Sequence, residues 1–363
     1  MSELFDNPLG TDGFEFVEFV SPAADSLAEL FGRLGFVEAG RHRHKDVSHY
    51  RQGDINFILN REPGGQAASF AARHGPSANA MAFRVRDAAL AYREALRRGA
   101  APFEQPVGAM ELKIPAIQGI DGLAIYLVDR YGARTIYDVD FEPLAQLGEK
   151  RGEAAAGVGL RYLDHLTHNL QRGHLQQWAA FYERVFNFRE IRYFDIEGKL
   201  TGLISRAMTS PCGKIRIPLN ESRDDRSQIE EFIARYHGEG IQHIALGSDD
   251  IYATVEALRA RGIAFQETPD TYYEALAKRL PDHGEDLPRL RADGILLDGA
   301  PGEGQGLLLQ IFTHEAIGPI FFEIIQRKGN EGFGEGNFQA LFESIELDQI
   351  RRGVLPANQE KQP

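Results

Sequence analysis

The sequence predicts an α+β protein in which one structural unit is used twice. Short apolar runs with the alternation of β-strands are interleaved with amphipathic helical stretches. Three segments of the first half recur in the same order in the second half. Interleaving of this kind is typical of curved, mostly antiparallel sheets that carry their helices on the outside.

The first pair of matching segments joins a strand to a helix. In the first half, the strand-like run is GFEFVEFV (13–20) and the helical stretch is SLAELFGRLGF (26–36). The second half offers LDHLTHNL (163–170) and then LQQWAAFYERVFNF (175–188). We interpret LDHLTHNL as a strand because it is short and apolar, contains β-branched Thr167 and follows a glycine-containing stretch of small residues.

The second and third pairs extend the repeat. Residues 79–104 and 240–267 both run as strand, acidic turn, amphipathic helix, glycine and strand. LAIYLVDR (123–130) matches FFEIIQR (321–327), and each ends in an arginine. Three pairs in one order are unlikely to match by chance, so each half is predicted to hold two strand–helix–strand units. Further strands are predicted at DINFILN (54–60) and KIRIPLN (214–220).

The repeat predicts two domains. The first covers residues 1–150 and the second covers residues 160–353. The segment EKRGEAAAGVG (149–159), which is charged and then small, is the expected linker. The tail after about Gly353 is polar and is expected to be frayed.

Composition excludes several classes of protein. The formal net charge is −13, which argues against a nucleic-acid partner because no basic field is available to hold phosphates. No stretch approaches the ~20 apolar residues of a membrane helix, and the first residues do not resemble a secretory signal. Cys212 is the only cysteine, which excludes a disulfide framework and fits a reducing cytoplasm. We therefore expect a cytoplasmic protein with neither a nucleic-acid nor a membrane partner.

Overlaying the two halves isolates residues that differ between otherwise similar copies. A purely structural residue should tend to survive in both copies, so such differences point to function. Two histidines and a glutamate of the second half stand out. His165 aligns approximately with Glu15 of the first half, His243 aligns near Met81, and Glu323 aligns with Tyr126.

These three residues form a ligand set for a metal. Two imidazoles and one carboxylate leave about three open positions on an octahedral ion, which suits non-haem Fe(II). A lone histidine is more often a packed core residue, but a joint difference at three positions favours a metal site. His168, three residues beyond His165 on a strand, should face the other way and is predicted to be structural.

A glycine run, GNEGFGEGNF (329–338), invites a nucleotide-binding interpretation. Its glycines do not have the spacing of a dinucleotide or phosphate-loop fingerprint, and no Lys-Ser/Thr follows. We predict a flexible loop that leads into a C-terminal helix, FQALFESIELDQIRRG (338–353), able to cover a site as a lid. A plain connector is the alternative.

The motifs LDHLTHNL, GIQHIAL, LLLQIF, FFEIIQRKG and GFGEGNFQALFESIE together resemble the 4-hydroxyphenylpyruvate dioxygenase family. The resemblance covers essentially the whole chain and is most specific after residue 160. It implies the vicinal-oxygen-chelate fold, with two domains of paired βαβββ modules and an iron site in the C-terminal domain alone. It also implies conversion of 4-hydroxyphenylpyruvate and O₂ to homogentisate and CO₂, in the catabolism of tyrosine and phenylalanine.

The resemblance assigns residues as well as chemistry. It implies that His165, His243 and Glu323 bind Fe(II), and that the chain forms a homo-oligomer, a dimer or a tetramer. It also implies a substrate pocket around the iron. Its residues would be Ser205, Pro218, Asn220, Gln228, Gln242, Gln310, Phe312, Phe321, Phe333, Asn337, Phe338 and Leu341.

Three alternatives remain open at this point. 4-Hydroxymandelate synthase is similar and hydroxylates the side chain of the same substrate, but Phe321 and Asn220 favour attack on the ring. A zinc or nickel lyase of the glyoxalase type could use the same scaffold, because a fold does not fix its chemistry. A non-enzymatic binding protein of the same fold needs no metal ligands, so the His165, His243 and Glu323 set argues against it.

Overall fold

The computed structural model describes most of the chain, with sixteen strands, nine complete α-helices, a short 3₁₀ helix at Ile120–Gly122 and the start of a further helix at residue 335. The described residues are 3–104, 106–108, 111–144, 157–197, 202–225, 227–300, 304–338 and 340, without the side chains of 195–197. The strands are β1 (Thr11–Val20), β2 (Val37–His42), β3 (Val47–Gln52), β4 (Ile55–Asn60), β5 (Ser77–Val85), β6 (Ala116–Gln118), β7 (Ala124–Val128), β8 (Phe141–Pro143), β9 (Leu160–Leu170), β10 (Arg189–Glu197), β11 (Gly202–Thr209), β12 (Arg216–Ser222), β13 (Gly240–Ser248), β14 (Leu296–Gly299), β15 (Leu307–Phe312) and β16 (Phe321–Lys328). The helices are α1 (Ala24–Arg33), α2 (Gly65–His74), α3 (Ala88–Arg97), α4 (Tyr137–Asp140), α5 (Leu175–Phe186), α6 (Gln228–Tyr236), α7 (Ile251–Ala260), α8 (Asp270–Arg279) and α9 (Leu287–Asp293). Within these residues, none of the helices combines the length and the apolar content that a bilayer crossing requires.

The strands form two eight-stranded sheets with matching topology. The first has the order β6-β7-β5-β1-β4-β3-β2-β8 and the second β10-β11-β12-β9-β13-β16-β15-β14. In the first sheet β1–β4 and β5–β7 are parallel, and in the second β9–β12 and β13–β16 are parallel. The other neighbouring strands are antiparallel. The predicted α+β class and the internal repeat are therefore confirmed.

The acidic turns of the repeat cap the helices that follow them. The side chain of Asp87 accepts a hydrogen bond from the backbone N–H of Leu90 at the start of α3, and Asp250 caps α7 in the same way. The strand predicted after each of these helices does not form. Each copy has a single β-bridge there, at Pro102 in the first and Phe265 in the second. Proline has no backbone N–H to donate, which explains the early stop in the first copy.

One face of each sheet packs into a common apolar core. Phe57 of the first sheet lies 6.1 Å from Phe322 of the second, measured between ring centroids. Phe83 of β5 similarly lies 5.2 Å from Phe186 of α5. Each buried phenylalanine contributes about 1.5–3 kcal/mol of burial free energy, so this core is a large part of what holds the halves together. The predicted linker lies mainly outside the described residues, and the boundaries at 150 and 160 stay predictions.

Strand pairing defines which positions of the two sheets correspond. In the second sheet, Ala245 of β13 lies opposite His165 of β9 on one side and opposite Glu323 of β16 on the other. In the first sheet, one alanine of β5 has the same relation to β1 and β7. The three corresponding residues are Ala82, Phe16 and Tyr126.

This pairing corrects the overlay made from the sequence by one residue. The position of His165 is matched by Phe16 and not by Glu15, and the position of His243 by Ala80 and not by Met81. The irregular pairing before Phe16 in β1 has a counterpart before His165 in β9, so the two copies share this feature. The match of Glu323 to Tyr126 was correct, as was the conclusion that the first copy lacks the ligand set.

Candidate metal centre

The three candidate ligands lie on neighbouring strands of the second sheet. His165, His243 and Glu323 project from one face of the sheet, called here the ligand face, and their ligand atoms all lie within 4.8 Å of one another. Glu323 Oε2 is 3.2 Å from His165 Nε2 and 3.4 Å from His243 Nε2. Adjacent ligands of an ion with bonds of about 2.1 Å lie roughly 3 Å apart, so the spacing fits one metal ion.

The glutamate has an unused ligand atom. Glu323 Oε1 is buried and has no hydrogen-bond partner among the described residues. Burial raises the pKa of this carboxyl group, but the two neighbouring histidines outweigh burial and hold the pKa at about 2. A buried, ionised carboxylate with a free oxygen is costly without a cation, and this observation indicates that the residues present fit a metal ion.

Each histidine is oriented by a hydrogen bond at its other ring nitrogen. His165 Nδ1 donates to Asp164 Oδ1 at 2.8 Å, and His243 Nδ1 donates to Gln242 Oε1 at 2.9 Å. Both bonds place the ring proton on Nδ1, so that Nε2 carries the lone pair that a metal ion needs, which is the usual arrangement around a metal-bound histidine. Gln242, one of the predicted pocket residues, thus lies behind a ligand.

The two imidazoles differ in electrostatic environment. Burial lowers the pKa of His165, but the charge of Glu323 and the hydrogen bond to Asp164 outweigh burial and raise it above its ordinary value. Burial also lowers the pKa of His243, and Glu323 offsets only part of that effect. The difference arises because His165 faces two carboxylates and His243 faces one.

Sequence reasoning did not identify three residues beside the candidate ligands, namely Asp164, Arg327 and Thr167, of which Asp164 and Thr167 contact a candidate ligand directly. Asp164 is buried and accepts two hydrogen bonds from Arg327, from Nε at 2.7 Å and from Nη2 at 2.8 Å. Burial raises the pKa of Asp164, but Arg327 outweighs it and the pKa lies well below its usual range. The third is Thr167, whose hydroxyl lies 2.9 Å from His243 Nε2. The recurrence of an arginine at the end of FFEIIQR was a sequence signal for Arg327. Nothing in the sequence indicated that its partner is Asp164.

Phenylalanines border the candidate ligands. Phe333 lies 5.4 Å from His165 between ring centroids, in an edge-on arrangement. Phe321 stacks on His243 at 5.0 Å with an angle of 20° between the rings. Phe312 lies 6.2 Å from His243 and 6.1 Å from Phe321. These three predicted pocket residues therefore lie beside the ligands.

Five further residues predicted for the pocket lie in two groups. On the neighbouring strands β11 and β12, buried Ser205 lies opposite Asn220, and buried Pro218 lies two register positions along, opposite Ala207. Near the C-terminal segment, Asn337 Nδ2 donates to Gln310 Oε1 at 3.1 Å, and both side chains are buried.

The remaining predicted pocket residues are exposed or lie outside the described residues. Gln228 is exposed at the first residue of α6. The side chain of Phe338 is 49% exposed. Leu341 and most of the predicted lid helix lie outside the described residues, within which this helix begins at residue 335 and not at 338. The pocket roles of these residues stay predictions.

Two glycines of the run pack closely against their neighbours, and the expected flexibility of the loop stays a prediction. A Cβ added to Gly334, which has φ +81°, would lie 1.7 Å from Gln310 Oε1. A Cβ on Gly336 would lie 2.3 Å from Asp298 Oδ1, and the N–H of Gly336 donates to Asp298 Oδ2 at 2.9 Å. At these positions glycine is required for close approach.

His168 is structural, as the strand alternation predicted. It is fully buried, and its Nε2 lies 3.0 Å from the hydroxyl of Tyr182. Burial lowers the pKa of His168 to about 3, so the ring is neutral at physiological pH. Its side chain lies on the opposite side of β9 from His165.

Comparisons with known proteins agree with this geometry. Residues 5–142 match the family described as "Hydroxyphenylpyruvate dioxygenase, HPPD, N-terminal", and residues 162–286 match the "Glyoxalase/Bleomycin resistance protein/Dioxygenase superfamily". Hemolysin VllY of Vibrio vulnificus is 62% identical over 96% of this chain and 98% of its own. The 4-hydroxyphenylpyruvate dioxygenase of Pseudomonas aeruginosa is 62% identical over 96% of this chain and 97% of its own.

A solved structure extends the comparison to the fold. A mutant of 4-hydroxymandelate synthase from Streptomyces coelicolor has a TM-score of 0.79 at 27% identity, and the alignment covers 94% of this chain and 99% of that chain. The two paired sheets therefore have the vicinal-oxygen-chelate fold that the sequence motifs implied. With near-complete coverage at 62% identity, the chain belongs to the 4-hydroxyphenylpyruvate dioxygenase family.

Proposed function

We propose that the protein is an Fe(II)-dependent dioxygenase that converts 4-hydroxyphenylpyruvate and O₂ to homogentisate and CO₂ in tyrosine and phenylalanine catabolism. The observation that carries the proposal is the set of His165, His243 and Glu323 on one sheet face, with Glu323 Oε1 buried and unpartnered among the described residues. Two imidazoles and one carboxylate are the ligand set of non-haem Fe(II) oxygenases. Membership of the family supports the same substrate and reaction.

The protein residues would hold the ion and position the substrate beside it. Fe(II), when bound, would supply the redox chemistry with O₂ and a chelating site for the α-keto acid. Asp164 and Gln242 keep the Nε2 atoms of both histidines directed at the ion. Glu323 would reduce the charge of the site to +1, which matches the single negative charge of the substrate's carboxylate.

The aromatic residues would orient the substrate ring. Phe312, Phe321 and Phe333 lie beside the imidazoles, so an aromatic substrate can lie against them and exclude water. Ser205, Pro218, Asn220, Gln310 and Asn337 are proposed to line the rest of the pocket. Gln228, Phe338 and Leu341 are proposed to join it when the C-terminal helix closes.

The reaction products distinguish this function from its alternatives. The apoprotein would be reconstituted anaerobically with Fe(II), mixed with 4-hydroxyphenylpyruvate and O₂, and its products identified by chromatography and mass spectrometry. Homogentisate is expected, with one O₂ consumed per product. Release of 4-hydroxymandelate would instead identify a synthase. Activity with zinc or nickel and no O₂ uptake would identify a lyase of the glyoxalase type.

Replacing each proposed ligand tests the metal centre separately. His165→Ala, His243→Ala and Glu323→Ala should each abolish turnover and reduce iron content. His168→Ala is the matched control on the same strand, because its side chain faces away from the ligand face. This control should keep its iron, although loss of a buried side chain lowers its free energy of unfolding by roughly 1–3 kcal/mol. Full activity in His243→Ala would rule out the assignment.

The organisation of the chain also belongs to this proposal. We place a domain without a metal site at residues 1–150 and the catalytic domain at 160–353. The chain is further proposed to form a homodimer or a homotetramer. Sedimentation equilibrium would measure the assembly state.

A further inference from the structure

A buried ion pair lies directly behind one of the candidate ligands. Asp164 Oδ1 accepts hydrogen bonds from His165 Nδ1 and from Arg327 Nη2, both at 2.8 Å, and Arg327 Nε donates to Asp164 Oδ2 at 2.7 Å. The side chains of Asp164 and Arg327 are 0% and 8% exposed. A two-pronged arginine–carboxylate pair has a fixed geometry, so the carboxylate that orients the His165 ring is itself held in place.

The same guanidinium group also holds the glycine-rich segment. Arg327 Nη1 donates to the backbone carbonyl oxygens of Asn330, at 3.0 Å, and Gly332, at 2.7 Å. Its Cζ atom lies 5.8 Å from the ring centroid of Phe333, and that ring lies 5.4 Å from the ring of His165. One side chain therefore connects a candidate ligand to the aromatic residue that faces the ligand.

A second arginine, on β12, also lies between Asp164 and the segment after β16. Arg216 Nη1 lies 3.6 Å from Asp164 Oδ2, and the side chain of Arg216 also forms an ion pair with Glu331. Asp164 is thus tied to the segment after β16 by two arginines from different strands. Arg327 makes the closer contacts, because its Nε and Nη2 lie 2.7 and 2.8 Å from Asp164, whereas Arg216 Nη1 lies 3.6 Å away.

The first sheet provides a comparison for this arrangement. Glu15 immediately precedes the residue that corresponds to the first ligand, as Asp164 does in the second sheet, and Arg84 Nε lies 2.5 Å from Glu15 Oε2. Arg130, which corresponds to Arg327 in the repeat, is exposed. Both copies therefore have a buried carboxylate, Glu15 or Asp164, that pairs with an arginine. The two copies differ at the arginine near the end of the last strand of the repeat, which is exposed at Arg130 but pairs with the carboxylate at Arg327.

We propose that Asp164 and Arg327 are positioning residues that couple metal binding at His165 to the placement of Phe333. The proposal rests on the proposed function, because it requires His165 to bind a metal ion. Asp164 holds the Nδ1–H form of the ring, so that Nε2 is the ligand atom. Arg327 holds Asp164 and the Phe333 segment with one guanidinium group, so displacement of either one disturbs the other.

Metal affinity is the first measurement. Co²⁺ would be titrated into wild-type protein and variants in competition with a chromophoric chelator. Asp164→Asn should weaken Co²⁺ binding by roughly 10–100-fold, the usual effect of removing the partner of a metal-bound histidine. Arg327→Lys keeps the charge and should weaken binding less. Because Arg327 acts through Asp164, the double variant should bind Co²⁺ no more weakly than Asp164→Asn alone.

Hydrogen exchange of the segment is the second measurement. In the wild type, Co²⁺ should slow amide exchange in residues 329–338. Arg327→Lys lacks the planar guanidinium group. In this variant, amide exchange in residues 329–338 should be faster and should no longer respond to Co²⁺. Glu15→Gln is the matched control, since it breaks the corresponding pair of the first sheet. It should lower stability while leaving both Co²⁺ affinity and the exchange response at wild-type values.

The outcomes separate this proposal from the proposed function. A wild type that binds neither Co²⁺ nor Fe²⁺ would overturn both. Tight wild-type binding with an unchanged Asp164→Asn affinity, or with additive losses in the double variant, would overturn the coupling alone. Because Asp164→Asn leaves Arg327 without its buried partner and could fail to fold, Arg327→Lys decides independently. A wild-type exchange response in that variant would refute the role of the guanidinium.

Discussion

The ring of Phe321 stacks on the imidazole of His243, with centroids 5.0 Å apart and planes inclined by 20°. Phe321 and Glu323 alternate on β16 and therefore share the ligand face, so a single strand supplies both a candidate ligand and an aromatic neighbour of another. On the proposed function, this ring limits the space beside the substrate's side chain. It would thereby present the substrate's aromatic ring, and not its side chain, to the oxidising centre.

Phe321→Val is expected to change the reaction product. The smaller side chain opens space beside His243, so the product should shift from homogentisate toward 4-hydroxymandelate. Loss of a partly buried phenylalanine should also lower the free energy of unfolding by about 1–3 kcal/mol. The product ratio is measured by chromatography after complete consumption of the substrate. Phe322→Val, on the core face of the same strand, is the control and should lose stability without any change of product.

An unchanged product ratio at a lower rate in Phe321→Val would mean that the residue only packs against His243. The proposed function would survive that result, because the ligand variants test it separately. The control also guards against a general loosening of β16. If Phe322→Val gave the same shift of product, the effect could not be attributed to the face on which Phe321 lies.

The clustering of the three candidate ligands could be predicted from the sequence for two physical reasons. Side chains alternate along a strand, so His165 and His168 had to lie on opposite faces once LDHLTHNL was recognised as a strand. The repeat then supplied an internal comparison in which the first copy lacks the ligands. The comparison was wrong by one residue at Glu15 and Met81, because the exact match depends on pairing between distant strands, which only the structure gives.

Other features could not be predicted because they depend on distant pairing. Asp164 and Arg327 are 163 residues apart, and nothing local to either residue identifies the other. Glycine in a sequence indicates freedom of φ or close approach, without saying which. The sequence around Gly334 therefore predicted a flexible loop. In the structure, Gly334 packs directly against the side chain of Gln310.

The close packing of the glycine run can be tested with two matched variants. Gly334 and Gly329 both have positive φ, +81° and +83°. Alanine at either should cost about 1 kcal/mol of stability from backbone strain. At Gly334 the new Cβ would also displace Gln310, whose Oε1 accepts a hydrogen bond from Asn337.

Gly334→Ala should therefore lower the free energy of unfolding by at least about 1 kcal/mol more than Gly329→Ala, the typical cost of a lost buried hydrogen bond. It should also raise KM for the substrate, because Gln310 is a proposed pocket residue. Denaturant unfolding and steady-state kinetics measure the two effects. Equal stability of the two variants would show that the segment around Gly334 is loose, as the sequence first indicated.

A buried histidine of the first sheet predicts loss of stability in acid. Burial lowers the pKa of His49 from 6.5 to about 4, and the ring stacks on Tyr137 with centroids 3.8 Å apart. Between these pH values the unfolded chain binds a proton at this residue that the folded protein does not. The contribution of His49 is therefore fully present above pH 6.5 and is lost as pH falls toward 4, by about 1.4 kcal/mol per pH unit.

His49→Gln should reduce this acid sensitivity, because glutamine stays neutral and can still donate to Asn56 Oδ1, the present partner of the ring. Its fall in the free energy of unfolding between pH 7 and pH 5 should be smaller than that of the wild type by about 2 kcal/mol. Urea unfolding at both pH values provides the measurement. His44→Gln in an exposed loop is the control. An identical pH dependence of wild type and His49→Gln would contradict the prediction.

The C-terminal segment is predicted to close over the substrate pocket. The stretch after residue 338 presents apolar residues at helical spacing in the sequence, namely Phe338, Leu341, Phe342 and Ile345. The side chain of Phe338 is 49% exposed, which leaves an aromatic ring available for burial on closure. Closure would exclude water from the reaction and so protect the oxidising centre from side reactions.

Deletion of residues 338–363 should therefore uncouple the reaction, so that O₂ is consumed or iron oxidised faster than homogentisate forms. Phe338→Ala should show a milder form of the same defect. Since the ring is half exposed, its removal should cost less than about 1 kcal/mol of stability. An oxygen electrode and product analysis give the coupling ratio directly. If the helix instead packs on the surface only, the truncated protein that remains folded would still form one homogentisate per O₂.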